Sequence, residues 1–435
     1  MLRDSDPAVD IVSAAAVGAP PPSRYRHLLT DVTTTVYPRT ARNLSAVVVP
    51  TSRGLDRRRS GVAFAASLAR KHGCPLVLLC SRDALGATVR ETLAALAAAK
   101  GGGPQVLAVD VDEVLHRSRY LCSATTFAVD ALDVSSIAGP RQPDEQWLRR
   151  SNDVGRKRNL ALLLARAMGW RTLLFVDDDI SAATRPGRPT LDGASLGRAL
   201  DALDHHGAVG WTAVDYPDNS VVGRIRGLGR EEPEQFIGGG ALLVSVGEAT
   251  PFFPAIYNED WLFFLRVLER APHRTLGYAG DVRQDPYDGF DPRRALDEEL
   301  GDVLGEGLLV TASGDVHDTR LRAPSFWQEV MDEREAGIWG LRRAFDGRTD
   351  LLAGQVAEAL GGVLALHEDL ARARKDEKLD VATQLASYLD LWLGDCRSWS
   401  ERMARAQECR PEELLAGCSV QGPMDLRAFV ARHRH

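Results

Sequence analysis

The segment "RTLLFVDDDIS", residues 171–181, decides the fold, because an apolar run leads directly into three consecutive aspartates. The apolar residues Leu173 to Val176 predict a buried strand. Three adjacent carboxylates repel one another, so a positively charged partner is expected beside them. In open α/β sheets, ligands bind beyond the carboxyl ends of the strands. The aspartates therefore mark the place where a binding site is expected.

The segments around this strand repeat the same alternation of strand and helix. Directly before it, "GRKRNLALLLARAMG" (155–169) places its leucines on one helical face and ends at a glycine that can stop a helix. Further upstream, apolar strands are predicted at 45–54, 75–81 and 105–111, with helical patterns between them at 61–73 and 88–103. Continuous apolar strands separated by helices predict an α/β fold whose mostly parallel sheet is covered on both faces.

The chain divides into three zones. Residues 1–43 are rich in proline and are predicted to be a partly disordered leader. Acidic residues lie near its start, where a signal peptide would be positively charged. Residues 44–320 hold the alternating strands and helices. Residues 321–435 carry amphipathic patterns without strand signals, which predict a helical C-terminal module that could shape a pocket or mediate homo-oligomerisation.

Composition argues against several classes of protein. The 435-residue chain is 44% hydrophobic with a formal net charge of −7, and an acidic chain without a basic block is unlike a nucleic-acid-binding protein. No apolar run approaches the roughly 18 residues of a membrane span. The six cysteines form no CxxC pair, which is typical of reduced thiols, so a cytoplasmic protein is expected.

The aspartates themselves suggest a metal site. In a strand-like segment alternate residues point the same way, so Asp177 and Asp179 are expected to face one pocket while Asp178 faces elsewhere. Hard carboxylate oxygens on one face suit Mg²⁺ or Mn²⁺, which commonly bridge to a ligand's phosphates. A solvated acidic turn or a helix N-cap is the alternative explanation.

The segment "GRKRNLALLLARAMGWRTLLFVDDDI" (155–180) resembles the central segment of GT-A-fold glycosyltransferases, particularly those related to family 2. That family has a helix bearing arginine and asparagine, then a strand, then a DxD motif. The resemblance covers residues 44–320 and implies a Rossmann-like, mostly parallel central sheet with flanking helices. It also implies an Mn²⁺- or Mg²⁺-dependent transfer of a sugar from a nucleoside-diphosphate sugar to an acceptor hydroxyl.

The resemblance assigns roles to individual residues. Asp179 is implied as a direct metal ligand, and Asp177 as a contact to the donor's ribose or to the metal through water. The other implied contacts with the nucleotide-sugar come from the first strand, the helix start and the aspartates: Thr51, Ser52, Arg53, Arg158, Asn159 and Asp178. From the residues alone, the hydroxyls also suit an ordinary turn, and the basic run suits a solvated helix face.

A second acidic motif lies in "FPAIYNEDWLFFLRVLER" (253–270), where Glu259 and Asp260 begin an amphipathic helix. Acidic residues at this position commonly cap the helix and compensate its dipole. The placement also resembles the family's ED motif, whose carboxylate deprotonates the acceptor hydroxyl. The resemblance therefore implies Asp260 as the general base, with Glu259 as the alternate, and favours inversion at the sugar.

Two further segments complete the predicted site. "EQFIGGGALLVSV" brings Gly238, Gly239 and Gly240 to a strand start, where they permit positive φ, a bulge or turn, or close approach of a ligand; by resemblance they line the acceptor side. His317 in "TASGDVHDTRL" is implied as a late metal ligand, although a lone histidine also suits a structural role. Residues 283–309 are predicted to form a loop and helix covering the site.

Other activities fit parts of the pattern. Sugar-phosphate nucleotidyltransferases also combine an α/β sheet, a metal-binding aspartate and a nucleotide, and "PTSRGLDRRRSG" partly matches their first loop. A dehalogenase-type phosphatase uses a DxD after an apolar strand, but that strand normally opens its domain. A retaining GT-A transferase and a non-catalytic GT-A-like scaffold also remain open. The partners expected of a transferase are a nucleoside-diphosphate sugar and a hydroxyl acceptor, without nucleic acid.

Overall fold

The computed structural model of the chain describes most of the residues from Arg26 to Arg434, and all structural statements concern these ranges alone. They are 26–40, 42–52, 61–81, 104–111, 153–183, 187–214, 220–228, 236–254, 256–270, 275–284, 290–310, 317–416, 418–421 and 426–434. Arg53 and the helix predicted at 88–103 lie outside the described residues.

One ten-stranded mixed sheet organises the described residues. Its strands are β1 (Leu29–Asp31), β2 (Ala46–Thr51), β3 (Leu76–Cys80), β4 (Val106–Asp110), β5 (Thr172–Val176), β6 (Ile180–Ala182), β7 (Ala208–Ala213), β8 (Ala241–Ser245), β9 (Leu276–Gln284) and β10 (Ser419–Gln421). They lie in the order β1-β9-β7-β8-β5-β2-β3-β4-β10, and β6 pairs with β9 outside that path. Only β6, β8 and β10 run antiparallel to their neighbours among these strands. The predicted α/β class with a mostly parallel sheet is confirmed.

The direction of the chain through the sheet reverses beside β2. Strand β2 pairs with β3 on one side and with β5 on the other. The chain passes from β2 to β3 and β4 in one direction, and then returns to the opposite side of β2 to form β5. Such a reversal leaves a crevice between the carboxyl ends of the two strands, and open α/β sheets bind their ligands in this crevice.

Helices cover both faces of the sheet. They are α1 (Gly61–Lys71), α2 (Asp153–Met168), α3 (Gly193–His206), α4 (Val221–Gly227), α5 (Glu259–Arg270), α6 (Pro292–Val310), α7 (Pro324–Ala344), α8 (Leu351–Lys375), α9 (Val381–Glu408), α10 (Pro411–Leu414) and α11 (Leu426–His433). Apolar residues of α1 and α3 pack on one face, and those of α2 and α5 pack on the other. None of the helices in the described ranges is both long and apolar enough to cross a membrane.

The local patterns predict most of the regular elements that position the site. The strands expected at 45–54, 75–81 and 105–111 are confirmed as β2, β3 and β4, and the helices at 61–73 and 155–169 as α1 and α2. Strands β1 and β10 are not predicted, and they lie within the zones assigned to the leader and to the C-terminal helices. Each has three residues, which is too short for a period-two pattern to be recognised.

The C-terminal helices share the core of the sheet domain. Apolar residues of α9 and α11 belong to the same buried cluster as those of α2 and α5. The indole Nε1 of Trp399 in α9 donates to the Thr250 carbonyl at 2.9 Å, and that of Trp170 donates to the His433 carbonyl at 2.8 Å. Strand β10 pairs with β4, so the tail also extends the sheet. The helical module is therefore packed onto the domain rather than attached by a linker.

One buried carboxylate of α6 is expected to make the stability of the fold depend on pH. Glu298 is 3% exposed, accepts a hydrogen bond from the Val221 N–H at 2.8 Å and forms an ion pair with Arg294. Burial raises the pKa of Glu298 from 4.5 to about 7, although Arg294 and the Val221 N–H act in the opposite direction. A raised pKa means that the folded chain holds this proton more tightly than the unfolded chain does.

Glu298→Gln is therefore expected to flatten the pH dependence of unfolding. Stability from the protonated carboxyl is fully present below about pH 4.5 and is lost as the pH rises through about 7. The wild type should lose about 3 kcal/mol over this window relative to the variant. Urea unfolding at pH 4.5 and pH 8 checks this, with exposed Glu329→Gln as the control. Parallel pH curves for wild type and Glu298→Gln would contradict it.

Candidate functional site

The candidate site begins where β2 and β5 end side by side. The Thr51 hydroxyl, at the end of β2, donates a 2.5 Å hydrogen bond to Oδ2 of Asp178, just beyond β5. Both strands are parallel here, so their carboxyl ends meet at one edge of the sheet. The predicted aspartates and the predicted nucleotide-binding strand therefore meet at the point where the strand order reverses.

The three aspartates form a turn instead of continuing the strand. The Ile180 N–H donates to the Asp177 carbonyl at 3.1 Å, which closes a four-residue turn. Asp177 faces Arg158, Asp178 faces Thr51, and Oδ2 of Asp179 accepts from Nε2 of Gln284 at 3.3 Å. The alternation expected of a strand does not apply to a turn, so Asp177 and Asp179 have different partners. That the two carboxylates share one pocket stays a prediction.

Arg158 lies at the centre of the cluster and is only 2% exposed. Its Nη2 donates to both oxygens of Asp177, at 2.9 and 3.1 Å, and its Nη1 donates to Oε1 of Glu259 at 2.6 Å. Burial acts to lower the pKa of Arg158, but the charges of Asp177, Glu259 and Asp260 outweigh it and raise that pKa further. The expected positive partner of the aspartates is therefore found. The guanidinium binds the protein's own carboxylates, which differs from the direct donor contact implied for it.

The glycine run makes room for this guanidinium. A side chain on Gly239 would place its Cβ 2.4 Å from Nη1 of Arg158, and one on Gly240 would lie 3.4 Å from Oδ2 of Asp177. Gly239 also donates its N–H to Oδ2 of Asp260 at 2.8 Å. Gly238, Gly239 and Gly240 are not among the glycines with positive φ, so close packing of Arg158 is the reason for a missing side chain at Gly239.

A buried polar cluster joins the start of α2 to the ends of β2 and β3. Nζ of Lys157, which is fully buried, donates to the Thr51 carbonyl and to Oγ of Ser52, both at 2.7 Å. It lies 3.1 Å from Oδ2 of Asp153, which also accepts from Ser52 and, at 2.6 Å, from Ser81. Sequence reasoning missed Asp153, Lys157 and Ser81. Their signal was available, since Ser81 follows a strand end and Lys157 lies one helical turn after Asp153.

Asn159 forms hydrogen bonds with the backbone of a neighbouring segment. Its Nδ2 donates to the Phe253 carbonyl at 2.7 Å, and its Oδ1 accepts from the Phe253 N–H at 2.8 Å. The ring of Phe253 in turn lies under Arg158, with 5.5 Å between the guanidinium carbon and the ring centroid. Asn159 thus holds the segment before α5 against α2. The donor contact implied for this amide stays a prediction.

His317 does not join the other site residues. It is exposed, and its Nε2 lies 3.8 Å from Oε1 of Glu269, near the end of α5. Glu259 stands at the beginning of the same helix. Ten residues of helix separate the two glutamates by roughly 15 Å, from the rise of an α-helix. The structure therefore places His317 at the opposite end of α5 from the acidic cluster, away from Asp177 and Asp179.

Gln284 is the polar side chain that the structure brings to Asp179 instead. Both residues are buried, with 5% of Asp179 and 6% of Gln284 exposed. Oε1 of Gln284 is shielded from solvent and has no hydrogen-bond partner among the described residues. Carboxylate and amide oxygens are ligands that Mg²⁺ and Mn²⁺ accept, so this pair fits a divalent cation better than Asp177, whose oxygens both bind Arg158. Within the described ranges, no group of three or more His, Cys, Asp or Glu side chains is arranged to hold a metal.

Comparison with known proteins adds no family name to this geometry. No protein-family model matches the chain, and no curated protein matches it in sequence. The case for a function therefore rests on the site itself and on the resemblance of its motifs. Two acidic motifs, far apart along the chain, meet at one buried arginine beside the carboxyl ends of two parallel strands.

Proposed function

We propose that the chain is a GT-A-type glycosyltransferase that moves a sugar from a nucleoside-diphosphate sugar to an acceptor hydroxyl. One observation carries this proposal: Arg158 binds Asp177 of the DDD segment and Glu259 of the ED segment at the same time. The two motifs that the resemblance assigns to donor and acceptor chemistry therefore occupy neighbouring positions. A transfer between two substrates requires this proximity.

The donor is expected in the crevice at the ends of β2 and β5. The start of α2 faces this edge of the sheet, since Asp153 and Lys157 in its first turns bind Ser52 and Ser81 at the strand ends. Backbone N–H groups at a helix start favour a negatively charged phosphate. Nζ of Lys157 already binds Thr51, Ser52 and Asp153, so its role is to hold the strand ends and α2 together beneath the donor.

Asp260 is the better candidate for the general base. Oε1 of Glu259 accepts a 2.6 Å hydrogen bond from Arg158, and protonating Glu259 would weaken that ion pair. Oδ2 of Asp260 accepts from the neutral Gly239 N–H, a weaker donor than a guanidinium, and this bond orients the carboxylate. In the proposed step Asp260 takes the acceptor's proton while the acceptor oxygen bonds to the anomeric carbon. The bond from that carbon to the diphosphate breaks, its electron pair leaves with the diphosphate, and the anomeric centre inverts.

Charge that develops on the diphosphate also has to be stabilised. Asp179 and Gln284 would hold a divalent cation, which supplies positive charge against the leaving diphosphate. Asp177 is held away by Arg158, and its role is to fix the turn that carries Asp179. The thiols need no part in this chemistry, and those of Cys74 and Cys80 are buried with pKa values raised by burial to about 12.

Asp179→Asn is expected to abolish the stabilisation that needs both metal and nucleotide-sugar. Wild-type protein should gain about 2.7 kcal/mol of stability when Mn²⁺ and the right donor are present at a hundred times their Kd. The amide of the variant can still accept from Gln284, but it lacks the charge that a divalent cation requires. Thermal unfolding with Mn²⁺ and a panel of UDP-, GDP-, TDP- and ADP-linked sugars measures this difference.

The control is Asp332→Asn, an exposed carboxylate of α7 that bonds Gln328. This variant should respond to the ligands as the wild type does. No stabilisation of the wild type by any donor would refute the proposed function. Stabilisation by a nucleoside triphosphate with a sugar phosphate, and none by a nucleotide-sugar, would favour a nucleotidyltransferase instead.

A further inference from the structure

The helix that carries Glu259 and Asp260 begins from a strained residue. Asn258 has a φ of 65°, a left-handed conformation that only a few non-glycine residues adopt, asparagine among the most frequent. Its carbonyl accepts the Trp261 N–H at 3.0 Å and so closes the first turn of α5. The direction in which α5 presents its two acidic residues therefore depends on the conformation of Asn258.

Helix α6 holds this residue from the side. Nδ2 of Asn258 donates to Oδ1 of Asp302 at 3.0 Å. Next to Asp302, the missing side chain of Gly301 allows a close approach, since a Cβ there would lie 2.4 Å from the Tyr257 carbonyl oxygen. The turn before α5 is therefore bonded to α6 by one side chain and packed against it by backbone. A shift of α6 is therefore expected to move the start of α5.

Arg334 of α7 binds the same aspartate and extends the connection to the C-terminal helices. Its side chain is 1% exposed, and Nη2 donates to Oδ2 of Asp302 at 2.6 Å. The guanidinium also donates to both oxygens of Glu299 at 2.7 Å and to Glu306 at 2.8 Å, both on α6. Burial acts to lower the pKa of Arg334, but these carboxylates outweigh it and hold that pKa well above its ordinary value. One arginine thus binds three carboxylates along α6.

A histidine of α8 strengthens this attachment. Nε2 of His367 lies 2.7 Å from Oε1 of Glu299 and is also buried. Burial acts to raise the pKa of Glu299, but Arg334 and His367 outweigh it and lower that pKa to about 2. Glu299 is therefore an anion at neutral pH, held by side chains of two helices. Helix α6 is thus bonded to α7 and α8, which lie outside the sheet that builds the site.

We propose that Arg334 is a positioning residue for Glu259 and Asp260, and that it acts through Asp302 and Asn258. The C-terminal helices would then contribute to the site without touching a substrate. Arg334 donates to one carboxylate oxygen of Asp302, and Asn258 donates to the other. The aspartate therefore transmits the position of α7 to the start of α5. The expected effect on turnover rests on the proposed function, whereas the expected effect on hydrogen exchange at the start of α5 does not.

The decisive variant is Asn258→Gly, because glycine keeps the left-handed backbone and loses only the hydrogen bond to Asp302. This hydrogen bond links the turn before α5 to α6, and its loss should speed local opening by about tenfold. We expect amide hydrogens in a peptide covering residues 257–265 to exchange about tenfold faster. Hydrogen exchange followed by mass spectrometry on the full chain measures this, with peptides of β5 and β9 expected to stay unchanged.

Arg334→Lys tests the more distant part of the connection. Lysine keeps one charge but cannot reach three carboxylates as the planar guanidinium does. The same 257–265 peptide should again exchange faster, by about three- to tenfold. The matched control is Arg226→Met, since Arg226 donates to Glu306 at 2.9 Å but makes no bond to Asp302. Exchange in 257–265 should not change in this control.

Transfer kinetics, measured with a donor identified in the thermal-unfolding panel, distinguish a positioning role from a general loss of stability. Asn258→Gly and Arg334→Lys should lower kcat by about tenfold and leave the KM for the donor unchanged, as expected when the base is displaced but the donor crevice is intact. Unchanged exchange at 257–265 in either variant would overturn the proposal, whatever happens to global stability. If the wild type transfers no sugar, the proposed function fails, while the exchange result still decides the positioning role.

Discussion

Asp260→Asn is expected to lower the rate of sugar transfer by about 10²- to 10⁴-fold, while the donor still binds. Asparagine has nearly the same shape, and its Oδ1 can accept the Gly239 N–H that orients Asp260. It cannot take the proton of the acceptor hydroxyl, which is a poor nucleophile until that proton leaves. Initial transfer rates and calorimetric titration with the donor measure the two effects separately.

Glu269→Gln is the matched control, because Glu269 lies near the other end of the same helix and pairs with Arg266. Its transfer rate should equal that of the wild type. Full transfer by Asp260→Asn would remove Asp260 from the mechanism. If Glu259→Gln alone abolished transfer, Glu259 would become the candidate base.

Arg158→Met is expected to lower the free energy of unfolding by about 3–5 kcal/mol. The substitution removes the positive charge that binds Asp177 and Glu259 and leaves both carboxylates partly buried without it. Methionine fills much of the volume, so the lost charge dominates the effect. Urea unfolding at neutral pH measures this loss. The stabilisation by Mn²⁺ and the nucleotide-sugar should also be lost in this variant.

A second substitution distinguishes charge from packing in this variant. Combining Arg158→Met with Glu259→Gln should recover about 1 kcal/mol or more, since one of the stranded charges is then neutral. Arg166→Met, in the last turn of the same helix and bonded to Gln407, should cost less than about 1 kcal/mol. An equally small loss for Arg158→Met would show that the guanidinium does not hold the acidic cluster together.

If these expectations hold, the site is a rigid unit assembled around one buried ion cluster. The DDD turn, the glycine run and the start of α5 all contact Arg158 or a carboxylate bound to it. The C-terminal helices would add a second attachment, through Arg334 and Asp302, to the start of α5. This arrangement would give the helical module a role in the proposed transfer without contact with either substrate.

The sequence by itself determined the class of the fold and the places where the acidic motifs lie. Apolar runs and helical periodicity are local properties, so they predict β2 to β5, α1 and α2 without knowledge of the partners. The DDD segment follows a strand and the ED segment starts a helix for the same local reason. The repulsion of three carboxylates also predicted a cation beside them, although not which one.

Only the tertiary structure decided which side chains meet. Arg158 joins Asp177 to Glu259, Gln284 replaces His317 beside Asp179, and Arg334 reaches Asn258 through Asp302. These contacts link residues far apart in the sequence, where packing of helices on the sheet brings them together and no local pattern records it. The turn at Asp177 shows the same limit on a small scale, because one hydrogen bond from Ile180 overrides the alternation that a strand would impose.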